Sequence, residues 1–115
     1  MGLVDEIQVW YETQCNGDWE HDYGLTIVTL DNPGWKVTIN LTGTKLVNKH
    51  FEILSKNVPQ KLVDQAMGKI KPPFIAASPT SADWFLCSVQ EEKFEGAGSP
   101  QNLTTILEAF LKWSK

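Results

Sequence analysis

"YGLTIVTLDNPGWKVTINL", residues 23–41, decides how this chain is read. Two runs rich in β-branched and aromatic side chains flank "DNPG", in which Pro33 presets the φ of a turn and Gly34 is free to take a positive one. The stretch is therefore expected to fold as a β-hairpin. In its second run Trp35, Val37, Ile39 and Leu41 alternate with Lys36, Thr38 and Asn40, which places one face on a core and the other in water. A lone hairpin is marginal, so further strands and a covering layer are required.

Both layers are found by moving outward. Upstream, Leu3, Ile7, Trp10, Tyr11 and Gln14 have the spacing of one helix face, with Asp5 and Glu6 in the first turn where the helix dipole favours acids; a helix is predicted over about 3–13. Downstream, a third strand is predicted over 48–54, "NKHFEIL". A stronger fourth covers 83–90, "DWFLCSVQ", with Trp84, Leu86 and Ser88 on one face and Phe85, Cys87 and Val89 on the other. Glu91-Glu92-Lys93 turns the chain into a short fifth strand around Phe94-Glu95, ended by "GAGSP". Ser99 then caps, and Pro100 starts, a final helix with the stripe Leu103, Ile106, Leu107, Phe110 and Leu111.

Between strands three and four, residues 55–82 are long for a loop in so small a domain. Val58, Leu62, Val63, Ala66, Met67 and Ile70 have helical spacing, opened by Pro59 and ended by Pro72-Pro73, so a helical insert at a sheet edge is expected. The fold class is α+β: an antiparallel sheet of about five strands, with the N- and C-terminal helices side by side on one face. The 115 residues form one expected domain, 1–115, with 55–82 as its insertion.

Composition narrows the function classes. All ten basic residues are lysines and the formal charge is −4, so the bidentate guanidinium contacts of nucleic-acid recognition are missing and no nucleic-acid partner is expected. No apolar run approaches the ~20 residues of a membrane span, and the N-terminus carries acids where a signal peptide carries bases; a cytoplasmic protein without a membrane partner is expected. Two cysteines, Cys15 and Cys87, are too few for a disulfide framework. No cofactor motif is present.

"CNGDWEHDYG", residues 15–24, concentrates the reactive side chains. A metal site would use Cys15, Asp18, Glu20 and His21, but zinc sites use paired ligands such as C-x2-C or H-E-x-x-H, and only one histidine lies here. A nucleophilic enzyme would pair Cys15 with His21 and a carboxylate. Cys15 follows the end of the first helix, where the dipole opposes a thiolate, among further acids. The reading favoured is a recognition element, with Asp18, Trp19, Glu20, His21 and Tyr23 as partner-binding residues; an aromatic ringed by acids suits a basic partner. The competing assignment for Trp19 is a lid over the helix–sheet core.

"WYETQCNGDWEHDYGLTIVTLDNPGWKVTINL" and "DWFLCSVQEEKFEGAGSPQNLTTILEAFLKW" resemble two blocks of the immunity protein 53 family of bacterial polymorphic toxin systems, over about 7–50 and 83–113. The strings W-Y-x-x-x-C-x-G-D-W-E-H, T-L-D-N-P-G-W and F-x-G-x-G carry the resemblance. It implies a small cytoplasmic immunity protein that binds and neutralises a cognate toxin domain. It also puts Cys15, Asp18, Trp19, Glu20, His21, Tyr23 and Gly24 on a shared surface. Asn16 stands where the family pattern has aspartate, and 55–82 departs from a shorter family connection, which makes that insert the alternative toxin contact. The runner-up function is a small hydrolase or sulfurtransferase-like enzyme using Cys15 and His21.

Overall fold

The computed structural model describes residues 2–31, 33–67 and 81–115. The hairpin forms as expected: β1 (Leu25–Leu30) pairs antiparallel with β2 (Gly34–Asn40), from Leu25 opposite Ile39 to Leu30 opposite Gly34. Asn32, at the turn, lies outside the described residues. β3 (Leu54–Lys56), β4 (Phe85–Gln90) and β5 (Lys93–Gly98) complete a five-stranded antiparallel sheet in the order β1-β2-β5-β4-β3. β4 and β5 are joined by Glu91 and Glu92, both at positive φ (51° and 61°), in the tight two-residue connection that matches strand twist.

Register decides the core. Val37, Gly96 and Cys87 lie abreast, as do Ile39, Phe94 and Val89. Opposed residues of antiparallel strands share a face, so these rows build one apolar surface. Two helices cover it. α1 (Leu3–Gln14) contributes Ile7 and Trp10, and the C-terminal α4 (Leu103–Ser114) contributes Ile106, Leu107, Phe110 and Leu111 to the same cluster. Phe94 and Phe110 are fully buried and meet edge to face with centroids 5.2 Å apart, a geometry the ring quadrupoles favour. Leu3 and Leu103 pack at the margin.

Three local readings are corrected. Residues 48–53 form no strand, and β3 begins at Leu54. Lys49 donates to the Trp113 and Lys115 carbonyls (2.6 and 2.9 Å), the Trp113 indole N–H donates to the His50 carbonyl (2.7 Å), and Phe51 sets its ring against Phe94 and Trp113. These bonds tie the segment to the end of α4, leaving the ladder to the next three residues. "GAG" does not end β5 but continues it. A Cβ on Gly96 would overlap the Cγ2 methyl of Ile106, so the absent side chain is what lets α4 lie close on the sheet.

The third correction concerns Ser99. It stands at the N-cap position of a 3-10 turn, Pro100–Asn102, from which α4 continues at Leu103, but its hydroxyl makes no capping bond. The Ser99 hydroxyl instead donates to the Trp84 carbonyl and accepts from the Trp84 amide, both at 3.3 Å. Asn102 donates from one side-chain amide to Ser99, Trp84 and Asp83, pinning the turn to the start of β4.

The helix of the insert is α3 (Gln60–Ala66), with Pro59 at its N-cap position. It packs on β4, where the Gln90 side-chain amide donates to the Gln65 and Ala66 carbonyls. Leu62 and Ala66 share a cleft with Leu86 and Ser88, on the face away from α1 and α4. The expected stripe residue Ile70 and the stop at Pro72-Pro73 lie outside the described residues.

Candidate recognition surface

Between α1 and β1 the chain makes one compact reversal, built by two side chains, those of Asn16 and Glu20, that bond backbone amides within the loop. Asn16 Oδ1 accepts from the amides of Asp18 and Trp19 (2.9 Å each), and the Glu20 carboxylate accepts from those of Asn16 (2.9 Å) and Gly17 (2.8 Å). Side-chain oxygens thus take the place of backbone acceptors where the chain turns. An aspartate at position 16 would offer the same acceptor. The amides of Glu20 itself, Asn16 and Gly17 hold the Glu20 carboxyl below the usual carboxylate range.

The reversal starts α2 (Trp19–Asp22), a single turn that aims Trp19 inward. Its ring is 6% exposed, and its indole N–H donates to the Thr42 carbonyl at 2.7 Å. Trp10, Tyr11 and Tyr23 surround it with centroids 6.1 to 6.2 Å away. Its edge rests on Gly43, where a Cβ would sit 3.3 Å from Trp19 Cδ1. Trp19 is the lid of the core at this corner.

The five residues singled out for partner binding therefore occupy different places. Asp18, His21 and Tyr23 are exposed, Glu20 is half-buried against its own loop, and Trp19 is closed to solvent. The Cys15 thiol donates to the Tyr11 carbonyl at 3.3 Å and raises the Tyr11 phenol above its usual range. Burial pushes Cys87 up to about 12. Among the described residues no hydrogen bond joins Cys15 to His21, and no three acidic, cysteine or histidine side chains stand close enough to hold a metal ion.

Beside Tyr23 an open groove of about 530 Å³ runs between α1 and β1, lined by Val4, Ile7, Gln8, Tyr11, Tyr23, Gly24 and Leu25. Val4 is 73% exposed. The expectations from sequence had placed the α1 residues of this groove in the core stripe or passed over them, and the missed signal is one of charge. Asp5, Glu6, Glu12, Asp18, Glu20, Asp22 and Asp31 all precede Lys36, the first basic side chain, and all ten lysines lie at or beyond it. Glu6 meets Lys115 at 3.3 Å; Glu12, Asp18, Asp22 and Asp31 form no ion pair among the described residues.

No helix among the described residues is long and apolar enough to cross a membrane. Compared with known families, residues 4–115 match the model described as Immunity protein 53. No curated protein and no solved structure matches the chain.

Proposed function

The chain belongs to the immunity protein 53 family, and from that premise we propose that it protects a bacterial cell, in the cytoplasm, by binding and neutralising the cognate toxin domain of a polymorphic toxin system. The observation that carries the reading is a family match spanning nearly the whole chain. The corner built by residues 15–24 is the proposed contact: Asp18, His21 and Tyr23 touch the toxin, while Trp19 and Glu20 hold the loop that presents them. Inhibition by binding needs shape and charge, without a reacting group.

The test begins with the toxin domain encoded by the neighbouring gene. Its expression should arrest growth, and co-expression of this chain should restore it, with a 1:1 complex detected by calorimetry. Failure to bind would overturn the proposal. Cys15→Ser should leave both binding and protection in place. Loss of protection with binding preserved would identify an enzyme acting through Cys15.

A further inference from the structure

β1 lies at the end of the sheet, and residues 26–29 are exposed in succession. Natural edge strands are blunted by lysine, proline or a bulge. "LTIVTL" has none of these: it is uncharged, pairs without interruption, and is rich in β-branched residues.

Ladder geometry shows which groups the edge offers. The Asn40 amide donates to the Gly24 carbonyl and the Gly24 amide donates to the Asn40 side-chain Oδ1, so the Gly24 backbone faces β2 at this position of the ladder. Such positions alternate along an antiparallel ladder, so Thr26, Val28 and Leu30 also bond to β2. The N–H and C=O groups of Leu25, Ile27 and Thr29 point away from the sheet. On the same strand, Leu25 lines the α1–β1 groove, and Ile27 stands opposite the core residue Val37 while remaining 39% exposed. Tyr11 and Tyr23, each 38% exposed, extend this apolar strip.

Charge selects the occupant. Asp22 precedes β1, Asp31 follows it, and Asp5 and Glu12 lie on α1; no lysine or arginine occurs in the first 35 residues. A second copy of this chain would set that acid-rich surface against itself. A basic segment meets it with opposite charge.

We propose that the outer edge of β1, which pairs with no further strand among the described residues, and the adjoining groove receive an extended basic segment of the toxin, added as a sixth strand with alternate apolar side chains in the groove. The inference rests on the toxin-binding reading and adds the binding mode and the chemistry of the bound segment. Main-chain bonds supply attachment, and the groove reads every second side chain.

The experiment uses the neighbouring gene's toxin domain with the full chain. In the free protein the amides of Leu25, Ile27 and Thr29 should exchange rapidly with deuterium, and in the saturated complex they should be protected. Ile27→Lys, on the groove face, should weaken binding by roughly 30-fold or more, the size of a hot spot. Val28→Lys, also exposed but on the other face, should change it less than roughly threefold, with circular dichroism confirming that both variants fold. If the wild type binds but the three amides stay fast, or Ile27→Lys binds normally, the strand-addition mode is wrong while the immunity reading stands. If the wild type does not bind, the immunity reading itself fails. Concentration-dependent dimerisation abolished by Ile27→Lys would make the edge a self-association surface and overturn the proposal.

Discussion

Trp19 joins local chemistry to long-range packing. Its neighbours in sequence, Asp18, Glu20, His21 and Asp22, are polar, yet the ring is buried by Trp10 and Tyr11 from the preceding helix and by the Thr42–Gly43 backbone after β2. Trp19→Ala should therefore lower stability by about 3–5 kcal/mol, as truncation of buried aromatic residues does, measured by urea unfolding. An unchanged midpoint would show that the ring is not the lid described. Glu20 gives a second prediction. Its folded-state carboxyl is held low by backbone amides, so its contribution is complete above the unfolded value of roughly 4.3 and is lost as pH falls through the lower folded value. Glu20→Gln should flatten the loss of stability below about pH 4; an acid limb identical to wild type would remove these amide bonds from the account. The polarity of "DWEHD" was legible in sequence, but the direction of the ring was not, because its partners lie up to 24 residues away.

The helix–sheet contact depends on a missing side chain. Gly96 sits opposite Val37 and Cys87 in the middle of the sheet, directly beneath Ile106 of α4. Gly96→Ala should lower stability by about 1–3 kcal/mol through overpacking. Ile106→Ala should lower it by about 2–5 kcal/mol through the cavity it leaves. Since the second change removes the methyl that the first collides with, the double variant should lose less than the sum of the two. Strict additivity in a denaturant double-mutant cycle would place the two residues out of contact. This contact also explains where sequence reading failed. Glycine, alanine and glycine together read as a loop because their common use is in turns; only a helix lying across the strand makes them strand residues. The stripes of α1 and α4 and the alternation in β2 were legible, since each records one face of one element. Strand three was displaced because the alternation of 48–54 gives no sign that Trp113 and Lys115 would capture it.

At the level of the whole molecule the charge is divided along the chain. Residues 1–35, which supply α1, α2 and β1, carry seven acids and no lysine or arginine, whereas residues 36–115 carry ten lysines and the other seven acids. The arithmetic is −7 for the first part and +3 for the second, which sum to the formal −4. A net charge of −4 is ordinary, so composition alone hid a pole that simple counting by position exposes. A pole of one sign raises the encounter rate with a basic partner and orients it before contact, an effect that weakens as salt shortens the screening length from about 30 Å at 0.01 M to about 8 Å at 0.15 M. Association with the toxin domain should thus slow by roughly tenfold over that range while dissociation changes little. Asp18→Asn with Asp22→Asn should reduce the salt slope without unfolding the chain, since neither side chain makes an ion pair among the described residues. Stopped-flow association at several salt concentrations checks both. A rate independent of salt in the wild type would mean that the acidic pole faces away from the toxin, and would transfer the interface to the far side of the sheet, where α3 of the insert packs on β4.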